Sequence, residues 1–247
     1  MIGGSAGSTL DEQLMSLSEL VATGPVDFGC YTQAELAVVM GEVPALAGLA
    51  DDVLAEGVRS LAARGLLYRS PDGDHVDVAG ELGLIAALTP MNLSVFEIRR
   101  GHSGDPAEPW RWMIAILPKG VAAVDRVDPL GLHRLSMISI DGLGRTVARR
   151  LIDGEAKIPQ DDGEPAPLTV AEARALVEQA EKRYQLAHRV RREDGTRLQT
   201  EFQILRTGPE RVDLLSVDPD GDGYHRTALD AESLRLLLVE LSGVVRR

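Results

Sequence analysis

The sequence predicts an α+β fold in which two antiparallel sheet-plus-helix units, related by a pseudo-two-fold, follow an N-terminal winged-helix-like helical region. Three observations lead there. β-favouring runs at 93–99, 110–117, 121–127 and 133–140 are separated by Gly, Pro or Asp turns and followed by a helical stripe of Leu143, Val147 and Leu151. The same order returns at 186–191, 198–205, 212–217 and 224–228, followed by Leu234, Leu237, Leu238 and Leu241 at i, i+3, i+4 and i+7. The two stretches also share landmarks. Val127-Asp128-Pro129-Leu130-Gly131 has its counterpart 90 positions on in Val217-Asp218-Pro219-Asp220-Gly221. His133-Arg134 aligns with His225-Arg226 at an offset of 92, and Asp141 and Asp230 are expected to cap the closing helices. Two copies at about 90 residues, 80–152 and 168–244, are too long and too few for a solenoid. One shared core over 91–247 is expected instead.

Each remaining element has a local reason. Residues 1–9 read as a flexible tail, with neither the basic region nor the apolar core of a secretory signal. Leu10, Leu14, Leu17, Leu20 and Val21 recur at helical spacing. Thr32 with Glu35 forms a capping box ahead of Leu36, Val39 and Met40. A second helix from Asp51 carries Val53, Leu54, Val58, Leu61 and Ala62 on one face, with Gly65 placed to end it. Ser70-Pro71-Asp72-Gly73-Asp74 has the chemistry of a hairpin between 66–69 and 75–78, and a short helix covers 80–88. Helix, helix and hairpin give residues 10–90 their winged-helix-like order. The first sheet half then spans 91–152, a Pro-rich charged linker 153–167, and the second half 168–247, opened by a Thr169–Glu172 capping box.

Composition excludes several functions. The chain has 247 residues, 44% of them hydrophobic, enough for a packed core. Lys plus Arg number 26 against 38 Asp plus Glu, a net charge of −12, so nucleic acid is not an expected partner. A single cysteine, Cys30, rules out an internal disulfide framework and a cysteine zinc cluster. No window approaches 18 uninterrupted apolar residues, so membrane insertion is not expected and a cytoplasmic location is.

Candidate chemistry is sparse. Asp218-Pro219-Asp220-Gly221-Asp222-Gly223 opens like a calcium loop, but position 12 is Leu229 where a bidentate Glu belongs, and the flanking strands favour a hairpin turn. The helix from Asp51 would be the DNA-reading element of a winged helix, yet it sets Asp51, Asp52 and Glu56 against Arg59 and Arg64. Lys182, Arg183, Arg189, Arg191, Arg192 and Arg197 form a basic run, diluted by Glu193 and Asp194; it reads as a solvated face, or secondarily as a surface for an acidic partner. The five histidines lack metal-ligand spacing, and Gly101-His102-Ser103-Gly104-Asp105 packs Ser, His and Asp too closely for a triad. No catalytic residue, metal site or cofactor is expected. Trp110 and Trp112 fall on one side of a strand by alternation, directly after the loop with His102 and Asp105. They supply either core bulk or, exposed beside a long loop, a binding anchor.

The sequence resembles the EspG family of cytosolic type VII (ESX) secretion chaperones. The likeness is carried by Tyr31-Thr32-Gln33-Ala34-Glu35-Leu36, like the family's opening Leu/Thr-x-x-Glu-Leu helix, by Leu61-Ala62-Ala63-Arg64-Gly65-Leu66, and by the short helix leading into the sheet. In layout it covers about 210 of the 247 residues; the helix near Leu10–Val21 is an addition to the family plan. The resemblance implies binding without catalysis, the client being the hydrophobic tip of a PPE protein within a PE–PPE pair. No site motif comes with it. The residues themselves nominate Trp110, Trp112, His102 and Asp105, with Arg235 and Glu240, which lie off the core stripe of the last helix, behind them. Homodimerisation through the apolar, weakly charged winged-helix-like part is a further expectation. The competing reading is a winged-helix regulator that binds DNA or a protein partner.

Overall fold

Strict alternation in the β-favouring runs gives every strand one face for each side of a sheet, and the chain uses both. The computed structural model describes residues 9–40, 48–70, 76–101, 111–152, 165–191, 196–208, 210–218, 221 and 223–243. The N-terminal region consists of α1 (Leu10–Thr23), β1 (Val26–Thr32), α2 (Gln33–Met40), α3 (Asp51–Ala63), the hairpin β2 (Leu67–Arg69) and β3 (Val76–Val78), and α4 (Gly80–Leu88). A meander follows: β4 (Ser94–Arg100), β5 (Arg111–Ile116), β6 (Val121–Val127) and β7 (Leu132–Ser139), closed by α5 (Ile140–Ile152). After β8 (Ala166–Leu168) and α6 (Val170–Gln179) comes a second meander: β9 (Lys182–Arg191), β10 (Arg197–Gly208), β11 (Arg211–Val217) and β12 (Tyr224–Leu229), closed by α7 (Ala231–Leu241). The fold class is α+β.

One antiparallel sheet has the order β1-β7-β6-β5-β4-β9-β10-β11-β12-β8, so the two meanders meet at a β4–β9 seam where Phe96 lies opposite His188. On one face, α5 and α7 cover Phe96, Ile114, Leu186, Ile204 and their neighbours in a core that runs across both meanders. On the other face, α1, α2 and α4 pack on Leu117, Val121, Leu135 and Met137 at one end. At the other end α6 packs on Leu205 and Leu215. No helix among the described residues is long and apolar enough to cross a membrane.

The structure revises several expectations. Residues 26–32, which sequence periodicity does not mark, form β1, an edge strand on β7. Gly29, at φ 97°, sits where the register shifts, and its N–H donates to Asp27 Oδ1 at 2.8 Å. The expected linker 153–167 ends in β8, which pairs with β12; residues 153–164 lie outside the described residues. β9 begins at Lys182, four residues before the run expected at 186–191, so Lys182 and Arg183 belong to the strand.

Asp141 does not cap α5. The Gly142 N–H donates to Ser139 Oγ at 3.1 Å, as Ser233 N–H does to Asp230 Oδ1 at 2.7 Å in α7. His133 and His225 are likewise not equivalent in the ladders: Val127 faces His133, whereas Val217 faces Tyr224. Both displacements have one cause. The first turn closes with Asp128 N–H on the Leu132 carbonyl, the second with Asp218 N–H on that of Gly223, one residue longer. The Asp218 and Gly223 backbones therefore close the connection between β11 and β12, and Pro219, Asp220 and Asp222 lie outside the described residues.

Expected local signals do form. Gly65, at φ 69°, ends α3 with the Leu66 N–H reaching back to the Leu61 carbonyl. In the capping box of α2, Thr32 N–H donates to Glu35 Oε2 at 2.8 Å and Glu35 N–H donates to Thr32 Oγ1 at 3.2 Å. Glu35 Oε1 also accepts from Ser60 Oγ at 2.7 Å and Arg64 Nη1 at 2.8 Å, tying α2 to α3. The Arg64 guanidinium lies over the Tyr31 ring, 4.8 Å from its centre. Burial pushes the Glu35 carboxyl upward, but the Thr32 amide, Ser60 hydroxyl and Arg64 outweigh it and hold the group below the usual carboxylate range. Glu35→Ala is expected to cost about 2 kcal/mol, because it orphans the Thr32 amide and the Ser60 hydroxyl while half-exposed Arg64 regains water. Urea unfolding checks this, with Glu35→Gln retaining roughly half of the contribution.

Candidate functional site

Between the N-terminal helices and α6, no described helix covers the second face of the sheet where β5, β4, β9 and β10 run side by side. Alternation places Val95, Glu97 and Arg99 of β4 on this face, because Phe96 and Ile98 point into the α5–α7 core. Across the ladders Glu97 is opposite Met113 on β5 and Ala187 on β9, and Ala187 is opposite Glu201 on β10. The described lining of the resulting groove, about 690 Å³, includes Arg99, Arg111, Arg189, Arg191 and Arg197 and the carboxylate Glu97, with Glu201 on the adjoining surface beside Ala187 and Arg189.

Glu97 is 4% exposed at the middle of this floor. Its Oε1 accepts from Arg99 Nε at 2.6 Å and its Oε2 from Arg189 Nη2 at 3.1 Å. Arg189 Nε donates in turn to Gln199 Oε1 at 2.9 Å. Desolvation opposes the Glu97 charge, but both arginines, through hydrogen bonds and field, hold its carboxyl below the usual range. Glu97 therefore positions two guanidiniums while leaving the groove cationic.

Beside the groove lies a slot of about 210 Å³ beneath α2 and α4, where Leu36, Ile85, Met113, Ala115, Ala123 and Leu135 provide mostly carbon walls. Met40, Val95, Arg111 and Met113 border both spaces, so the two adjoin. Beside the slot, buried His133 places Nδ1 2.8 Å from Asp125 Oδ2. Among the described residues no group of three metal-ligating side chains comes together.

The residues nominated from sequence are scattered. Trp112 is 7% exposed, opposite Ile98 in the α5–α7 core, so it is core bulk and not a surface anchor. That follows from the same alternation that turns Arg111 and Met113 into the groove. Trp110, His102 and Asp105 lie outside the described residues, in the connection between β4 and β5. Arg235 spans the α5–α7 contact: its Nη1 donates to Asp141 Oδ1 at 2.7 Å, its Nε donates to Glu232 Oε2 at 2.8 Å, and its Cγ fills the space a side chain at Gly144 would need. Glu240 is exposed on α7. Sequence reasoning did not single out Glu97, Arg99 and Arg111. The available signal was Val95-Phe96-Glu97-Ile98-Arg99, whose alternation marks a charged face on a central strand.

No family model matches the chain, and no curated protein matches it. Among solved structures it is similar to the Mycobacterium tuberculosis type VII secretion system chaperone EspG5, determined in complex with the PE25–PPE41 dimer. The likeness spans 86% of this chain and 95% of that one, at a TM-score of 0.52 and 10% identity. What this chain shares with EspG5 is the fold.

Proposed function

We propose that the protein is an EspG-like chaperone, cytoplasmic and non-enzymatic, that binds a PE–PPE-type secretion substrate and shields its apolar tip. The observation that carries this reading is the likeness to EspG5 along nearly the whole chain. The uncovered sheet face supports it: a contiguous apolar slot beside a polar groove suits a protein surface that must be kept from self-association. The β4–β5 connection, with His102, Asp105 and Trp110, joins the groove at its Arg99–Arg111 end and is proposed to contribute to the contact. Glu240 is a peripheral candidate.

The test is co-expression of the full chain with PE–PPE pairs from its own source, followed by gel filtration with light scattering. A stoichiometric ternary complex is expected with at least one pair. Absence of a complex with every pair, together with salt-sensitive retention on DNA, would replace the chaperone by the regulator. The mass of the unliganded protein in the same experiment decides whether the proposed homodimer exists.

A further inference from the structure

We propose that the groove selects its partner by a paired signature, one large apolar side chain seated in the slot and one or more carboxylates bound by the arginines, set about one helical turn apart on the partner's tip. This rests on the chaperone reading and adds the chemistry of the client to it.

The slot beneath α2 and α4 is too small for a helix of about 10 Å diameter but admits a side chain projecting from one. Its opening, at Val95 and Met113, lies next to the arginines. Val95 and Arg99 are four residues apart on β4, and Met113 and Arg111, both in the slot's lining, are two apart on β5, so the mouth of the slot and these arginines lie within roughly 7–14 Å along the strands. Arginine side chains reach back over part of that span, which leaves a separation matching i, i+3 or i, i+4 neighbours on a helix.

The sign of the groove is the second argument. On a chain of net charge −12, five arginines against Glu97 and the neighbouring Glu201 form a local reversal among the described residues. Such a patch attracts acidic surfaces and rejects basic ones. Glu97 does not cancel it, since each guanidinium carries five N–H donors, more than one carboxylate oxygen takes up. The forked geometry of arginine suits a carboxylate in particular. A third observation is independent of these. Arg191 and Arg197 are directly opposite each other across the β9–β10 ladder, and like charges so placed repel. A bound carboxylate between them relieves that repulsion.

The experiment measures affinity for a PE–PPE pair that co-purifies with the wild type, by calorimetry between 50 and 300 mM salt. The double variant Arg191→Glu/Arg197→Glu leaves the Glu97 cluster intact and is expected to bind about 30-fold more weakly with a flattened salt dependence. Changing an Asp or Glu on the partner's tip to Lys is expected to restore binding to that variant and weaken it for the wild type, which misfolding would not produce. Ala115→Leu, narrowing the slot, is expected to weaken binding about tenfold without changing the salt slope. Affinities within threefold of wild type for both variants, with the same salt slope, overturn the inference and leave the chaperone reading standing. Failure of the wild type to bind any pair overturns both.

Discussion

Asp213→Ala is expected to destabilise the protein by about 3 kcal/mol, among the largest effects of any single charged residue in the fold. Asp213 is fully buried on β11, between Leu205 on β10 and Ala228 on β12. Its Oδ1 accepts from Arg226 Nε at 2.8 Å; its Oδ2 accepts from Arg211 Nε and from Thr207 Oγ1, both at 3.2 Å. The carboxylate is thus fully buried and bonded to the guanidiniums of Arg211 and Arg226. Removing it leaves two cations on one patch of sheet without their common anion. The Arg211 and Arg226 side chains are 37% and 25% exposed, so water recovers part of the loss, which places the cost at the lower end of the range of about 3–5 kcal/mol for broken buried pairs. For a chain of this length that corresponds to a melting temperature lower by roughly 6–12 °C. Asp213→Asn keeps the shape and loses the charge, and is expected to fall between the two. A melting point within 2 °C of wild type for Asp213→Ala would mean that the pair offers no net stabilisation.

Features decided within a few residues were legible in the sequence. The Thr32–Glu35 and Thr169–Glu172 boxes, the Asp230 cap and the turn at Gly65 all rely on partners at most five positions away. The strands missed or misplaced answer to distant partners. β1 exists because β7, about a hundred residues later, offers an edge, and β8 has three residues including Pro167, too few for periodicity to register. The single-residue difference between the two hairpin turns was invisible to a comparison of dipeptides, so His133 aligned with His225 although the ladders put Tyr224 in that place. A one-residue slip moves a side chain to the opposite face, which is why small errors in turn length matter in a sheet.

The site was less legible than the fold for the same reason. The alternation at 95–99 marks a charged face, but Glu97 gains meaning only when β9 brings Arg189 beside it, and no local rule states that β4 and β9 are neighbours. Trp110 and Trp112 drew attention by residue type alone. Alternation puts Trp112, Ile114 and Ile116 together in the core, while Arg111, Met113 and Ala115, less conspicuous in the sequence, line the groove.

The seam between the two meanders is where the largest loss is expected: Phe96→Ala should cost about 3–5 kcal/mol. Phe96 is fully buried at the centre of the β4–β9 ladder, in the core shared by α5 and α7, so its cavity opens beneath both closing helices at once. Its ring stacks on His188 with centroids 4.5 Å apart and planes 17° from parallel. His188 is itself buried, its Nε2 has no hydrogen-bond partner among the described residues, and burial pushes its pKa below the usual 6.5. The folded protein therefore holds a neutral imidazole. As pH falls below about 6.5 the unfolded chain takes up a proton that the folded chain refuses, and stability declines until the depressed folded pKa is reached. The slope is at most about 1.4 kcal/mol per pH unit from this group. His188→Leu is expected to flatten that acid limb relative to wild type. Phe96→Ala, by admitting water to the imidazole, is expected to reduce the limb while lowering stability at every pH. Urea unfolding of the three proteins between pH 5 and 8 separates the two effects. Parallel pH curves for wild type and His188→Leu would show that the seam histidine takes no part in acid sensitivity, whereas a loss below about 1 kcal/mol in Phe96→Ala would mean that α5 and α7 collapse to fill the space.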